Sequence, residues 1–129
     1  LEEACRIIHD RGALIAGVTD GANGSYFVWP DGTPYRCEPF IQESIIDTTG
    51  AGDSFHGAFL ARLVKYIYKK MDTAQMHMNG QEILMHCAHT DLEQVAIFAS
   101  AVAALNTQGI GGRSPLPSLE QVHQLMGLE

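Results

Sequence analysis

Apolar and polar positions follow more than one period along this chain, and each period predicts an element. Ala4, Cys5, Ile7 and Ile8 recur at helical spacing between Glu2 and Asp10, and Gly12 follows where a helix stops. Ala13 to Thr19 is a short apolar run that fits a buried strand and ends in the polar turn Thr19-Asp20-Gly21-Ala22-Asn23-Gly24. The β-type runs Ser25 to Trp29 and Thr33 to Phe40 flank Pro30-Asp31-Gly32, and Asp-Gly between such runs predicts an antiparallel hairpin.

Further along, Phe55, Ala58, Phe59, Leu63, Tyr66 and Ile67 keep a 3.6-residue period and predict a long helix. Met71 to His89 has no clean period and contains Asn79-Gly80, so it reads as an irregular or partly helical insertion. Thr90-Asp91-Leu92-Glu93 matches a capping box, and the nearly unbroken apolar run behind it predicts a helix buried on most sides. The glycines and proline of Gln108 to Pro115 require a loop; Ser118 with Gln121 forms a second capping box and opens a last helix through Met126. Together these elements predict one α/β layered domain over residues 1–129.

Composition narrows the function. With 46% hydrophobic and 18% charged residues the chain has the balance of a compact globular domain. Fifteen acidic residues against eight basic ones give a net charge of −7, which repels phosphate backbones and anionic lipid and argues against nucleic acid as a partner. The longest strongly apolar run, Val95 to Leu105, is about half the length needed to cross a bilayer, which predicts no membrane span. Cys5, Cys37 and Cys87 are an odd, widely spaced set, as expected of reduced thiols in a cytoplasmic protein. The chain begins in mid-helix at Leu1, with no signal-peptide pattern, as a piece of a longer protein would.

Chemistry concentrates in Gly50-Ala51-Gly52-Asp53 at the start of the long helix. Glycines let backbone N–H groups converge without obstruction, and the helix dipole adds positive potential, so such a loop binds an anion. If the anion is a γ-phosphoryl group, the amides stabilise charge that develops in the transition state, and Asp53 stands where it can accept a proton from an attacking hydroxyl. The same residues also fit a plainer role, with Asp53 capping the helix and the glycines making a tight turn.

The run Asp47 to Phe59, DTTGAGDSFHGAF, closely resembles the second signature of the PfkB (ribokinase-like) carbohydrate kinase family. The similarity covers most of the chain, from the strand ending in Val18-Thr19-x-Gly21-x-x-Gly24 to the Gly-Gly-Arg-Ser-Pro loop before the last helix. It implies the C-terminal part of a three-layer α/β/α ribokinase-like fold, with the sugar-binding portion upstream of Leu1. It implies an ATP-dependent kinase acting on a sugar or related small alcohol, with Asp53 as base and Gly50, Ala51 and Gly52 as the anion hole. Thr19, Gly21 and Gly24 are implied at the nucleotide phosphates, and Ser100, Ala103 and Gly111 around the nucleotide. Asp20, where many relatives carry an apolar residue, is a departure that reads as an exposed turn carboxylate. A monovalent cation such as K+ is implied at Asp47 and Thr49, with carbonyls from Asn106, Gly109 and Gly111; Mg2+ would ride on the ATP phosphates.

Other candidates rank below this set. His77, His86, Cys87 and His89 crowd the insertion, but their spacing matches no standard zinc site, and solvated loop residues are the better reading. His56 lies one helical turn past Asp53, and Arg113 is free to meet a phosphate or a carbonyl cluster. A sheet lacking its neighbouring strands leaves edge groups unpaired, which predicts a homo-oligomer, and a piece of this size is expected to be inactive alone. The alternative to a kinase is a noncatalytic nucleotide-binding or regulatory domain of the same fold.

Overall fold

The computed structural model describes residues 1–73, 77–111 and 116–128. In chain order the elements are α1 (Glu2–Asp10), β1 (Ala16–Thr19), a 3-10 turn at Gly21–Asn23, β2 (Ser25–Val28), β3 (Pro34–Cys37), α2 (Ala51–Thr73), α3 (Gly80–His86), α4 (His89–Asn106) and α5 (Leu119–Leu125). The strands form one antiparallel sheet in the order β1-β2-β3, with Ala16 opposite Val28 and Ser25 opposite Cys37.

Side-chain alternation along β2 builds two cores, because successive residues point to opposite faces. Tyr26 and Val28 pack with Ala16, Val18 and Cys5 of α1. Phe27 and Trp29 turn the other way, onto Phe55 and Leu63 of α2 and Leu92, Val95, Ala96 and Ala99 of α4. Every residue of β2 is therefore buried, and the helices lie in layers on both sides of the sheet. The larger core is organised by stacked rings: Phe27 lies 5.1 Å from Trp29, 5.3 Å from Phe59 and 6.2 Å from Phe55, centroid to centroid. Gly17, opposite Phe27, makes room for that ring; a Cβ there would lie 2.6 Å from a ring carbon. The third cluster joins α4 to α5 through Ala101, Val102 and Val122. Not all apolar positions are covered: Leu60, Val64, Tyr68 and Met71 leave an exposed stripe along α2.

Several boundaries depart from the sequence pattern. The strand expected from Ala13 is paired only from Ala16, because beyond Val28 the Trp29 N–H turns to Thr33 O and closes the hairpin. The hairpin arms likewise stop at Val28 and Cys37, the second running into Pro39, which has no N–H to donate. In the turn, Asp31 Oδ1 accepts from Thr33 N at 2.9 Å and Gly32 takes a φ of 84°, which glycine adopts without strain.

The insertion is more regular than expected. The long helix runs on to Thr73, and Asn79 and Glu82 form a reciprocal capping box that starts α3. The capping box expected at Thr90 does not form: α4 begins two residues earlier than that box would start it, at His89 after Ala88, and no side chain caps it. His89, the first residue of the helix, instead places Nε2 2.7 Å from Asp31 Oδ2 in the hairpin turn. Burial of α4 on most sides is observed, with eight buried residues from Leu92 to Asn106. The Ser118–Gln121 capping box forms with both bonds and starts α5. No described helix is long and apolar enough to cross a membrane.

Candidate functional site

The mouth of α2 is shaped from below by what is buried just beyond it. Ser54 and Phe55 are buried, Phe55 in the aromatic stack, and this rotation leaves Gly52, Asp53 and His56 exposed. Gly50 has a φ of 78°, a left-handed conformation that an L side chain adopts only under strain. The first helical bond runs from Ser54 N to Gly50 O at 2.8 Å, and Ala51 N turns back to Thr48 O at 3.2 Å. Among the described residues, the amides of Gly50, Gly52 and Asp53 have no such partner. Unpaired first-turn amides carry the positive end of the helix dipole and attract an anion. The Asp53 carboxylate makes no hydrogen bond or ion pair among the described residues, so its lone pairs are open to an incoming group.

A second segment holds this mouth in place. Residues 44–49 are laced to residues 106–111: Ile46 N and Asp47 N both donate to Thr107 O, at 2.9 and 3.2 Å, and Gln108 Nε2 donates to Ser44 O at 2.6 Å. Gly111 N donates to Asp47 Oδ2 at 3.0 Å, while Thr49 N donates to Asp47 Oδ1 at 2.9 Å. These donors, Gly111 first and then Thr49, hold the Asp47 carboxyl below the usual carboxylate range. Asn106 Nδ2 donates to Thr49 O at 3.3 Å, and Asn106 itself is fully buried.

Asp47, Thr49, Asn106 and Gly111 are thus gathered by hydrogen bonds, as a shared site requires. Gly109 lines an adjacent cleft of about 300 Å³ with Leu105, Gln108, Pro117 and Gln121. Ser100 is buried on α4, and Ala103 is half-buried against the main core. The turn with Thr19, Gly21 and Gly24 is a separate feature, with no hydrogen bond to the lace among the described residues. It closes on itself through Asp20 N to Gly24 O at 2.8 Å and Asn23 Nδ2 to Asp20 Oδ2 at 3.1 Å, with Asp20 exposed. Gly24 is buried with a φ of 89°, and a Cβ there would collide with Cys37 O, so packing alone requires glycine. Arg113 and Gly112 lie outside the described residues.

The insertion histidines do not assemble. His89 is engaged by Asp31, Cys87 donates through Sγ to Leu84 O at 3.1 Å, and no metal-binding cluster occurs among the described residues. A larger cleft of about 420 Å³ lies there, walled by Tyr66, Lys70, Ile83 and Asp91, and none of the proposed site residues lines it. Sequence reasoning missed the side chains of Asn106 and Gln108 and the carbonyl of Thr107, none of which carries a motif.

The sequence matches the pfkB family carbohydrate kinase pattern over residues 1–119. The chain belongs to the pfkB family. A cytidine kinase from Thermococcus kodakarensis is 36% identical over 61 residues, 47% of this chain and 22% of that protein. A Dictyostelium discoideum protein described as an uncharacterized sugar kinase is 34% identical over 97 residues, 74% of this chain and 21% of its own length. A fructokinase double mutant from Vibrio cholerae O395, crystallised with fructose, ADP and potassium, superposes with a TM-score of 0.70 at 25% identity, covering 97% of this chain and 34% of the fructokinase. The chain thus spans about a fifth of the length of these curated relatives. Its mixed helices and three-stranded sheet correspond to a part of the ribokinase-like fold.

Proposed function

We propose that the native protein is an ATP-dependent phosphotransferase that phosphorylates a hydroxyl of a sugar or related small alcohol. One observation carries this reading: in a pfkB-family chain, partnerless amides and an exposed carboxylate share the first turn of α2. The γ-phosphoryl group of ATP rests against the open amides of Gly50, Gly52 and Asp53; the Ala51 amide, expected in the anion hole with Gly50 and Gly52, is taken up by Thr48 O. Asp53 takes the proton of the acceptor hydroxyl as its oxygen bonds to the γ-phosphorus, while the bond from that phosphorus to the bridging oxygen breaks and ADP leaves.

The Thr19, Gly21 and Gly24 turn contacts the nucleotide phosphates in this reading, Ser100 and Ala103 lie beneath the adenine, and Gly111 closes the late loop. Mg2+ bound with ATP would neutralise phosphate charge; no described residue is assigned to it. The Asp47 carboxylate, the Thr49 carbonyl and the carbonyls of Asn106, Gly109 and Gly111 make an all-oxygen donor set, which suits a hard cation such as K+ beside the anion hole. β1 pairs only with β2 among the described residues, and that open edge supports self-association of a cytoplasmic homo-oligomer, which sedimentation at several concentrations tests.

The deciding experiment is Asp53→Asn in the native protein, with ATP affinity and turnover measured separately. A base predicts affinity nearly kept and turnover down by roughly 10² to 10⁴-fold. A cap without catalytic duty, as in a noncatalytic nucleotide-binding domain, predicts lost stability and no specific effect on the chemical step.

A further inference from the structure

Asn106 presents a polar group that the proposed chemistry does not use. It ends α4, is completely buried, and splits its carboxamide unevenly: Nδ2 donates to Thr49 O, whereas Oδ1 is buried with no hydrogen-bond partner among the described residues. A buried carbonyl oxygen left unpaired costs roughly 1–3 kcal/mol, so a leucine-like side chain of similar size would suit an ordinary core position better. Thr49 O belongs to the peptide bond whose N–H is that of Gly50, the left-handed residue at the mouth of α2. Because the C=O and N–H of a trans peptide point opposite ways, holding that carbonyl fixes the direction of the adjoining amide.

We propose that the side chain of Asn106 is a positioning residue for phosphoryl transfer: its Nδ2 fixes the Thr49–Gly50 peptide plane and so aims the Gly50 amide at the transferring group. This rests on the kinase reading above. Asp47 secures the neighbouring Thr49 N–H, so the peptides before α2 are gripped by one carboxylate and one carboxamide. The unpaired Oδ1 is the atom that distinguishes the device from simple packing. Turning the carboxamide over places Oδ1 against Thr49 O, an arrangement of two oxygens that is favourable only with a cation between them.

Two substitutions in the native protein separate this role from a structural one. Asn106→Leu keeps the size and removes the donor; kcat falls about 10-fold or more while ATP affinity stays within about 3-fold, since the loss is confined to the transition state. Asn106→Asp, assayed at about pH 8.5 to keep the carboxyl ionised, sets oxygen against Thr49 O; turnover falls similarly, and KCl in place of tetramethylammonium chloride raises it by a larger factor than it raises the turnover of the unsubstituted protein. Independently of activity, KCl raises the Tm of Asn106→Asp more than that of the unsubstituted protein or of Asn106→Leu. Unchanged kcat in both variants overturns the proposal, and so does a kcat loss that tracks stability with a salt response no larger than that of the unsubstituted protein. If Asp53→Asn also keeps full turnover, the kinase chemistry at this site fails; if Asp53→Asn loses turnover and the Asn106 variants do not, only the positioning role fails.

Discussion

Two glycine-bearing turns, at 20–24 and at 47–53, are held in opposite ways. The first is closed by its own residues, through Asp20, Asn23 and Gly24, and depends on the rest of the fold mainly where Gly24 packs beneath Cys37 O. The second satisfies few of its own groups and is tied to residues 106–111, far away in sequence, by bonds from Thr107, Gln108, Gly111 and Asn106. A turn that bonds to itself sets its own shape and meets a ligand with the groups that those bonds leave over. A turn braced from outside keeps its amides open while its backbone stays fixed, which is the condition for preorganised charge stabilisation.

Both turns hang on one aromatic stack, since Phe27 lies three residues past Gly24 and its ring packs on Phe55, two residues past Asp53. Phe27→Ala therefore has the largest expected effect on stability, about 3–5 kcal/mol in urea unfolding, and it removes the contrast by loosening both turns at once. Next comes the pair that divides the first turn. Gly24→Ala meets backbone and is expected to cost more than about 2 kcal/mol, while Gly21→Ala, with open space at φ 50°, costs about 1 kcal/mol. Equal losses at the two positions would contradict the close packing of Gly24 against Cys37 O.

The smallest effect is electrostatic and belongs to the second turn. Because Gly111 N–H and Thr49 N–H lower the Asp47 pKa from its ordinary 3.8, ionised Asp47 adds stability above that value and loses it as pH falls through the lower folded value. The Tm gap between the unsubstituted protein and Asp47→Asn should be widest near neutral pH and close below about pH 4. The hairpin carries a similar acid-sensitive contact, since the Thr33 amide and His89 bring the Asp31 carboxyl down to about 2. Asp31→Asn should narrow the acid response of the hairpin and leave the mouth of α2 untouched.

What the sequence disclosed divides along the same line. Local chemistry was legible: the Asp-Gly turn, the Ser118 capping box and the glycine loop ahead of the long helix all form where their residues require. The Thr90 capping box was misleading because its competitor is tertiary, the contact of His89 with a turn 58 positions earlier. The Asn79 capping box was present as Asn79-x-x-Glu82 and was masked by the absence of apolar periodicity around it. At the candidate site, the glycines and Asp53 announce themselves, whereas the lace does not. Thr107 contributes a main-chain carbonyl, and Asn106 and Gln108 act through single bonds to distant carbonyls that no local pattern encodes.

The most direct measurement is a crystal structure of the native protein with a nonhydrolysable ATP analogue and an acceptor sugar. The account predicts the terminal phosphate within about 3 Å of amides from residues 50–53, and the Asp53 carboxylate within hydrogen-bond reach of an acceptor hydroxyl. A terminal phosphate bound elsewhere, with the mouth of α2 filled only by solvent, would contradict it.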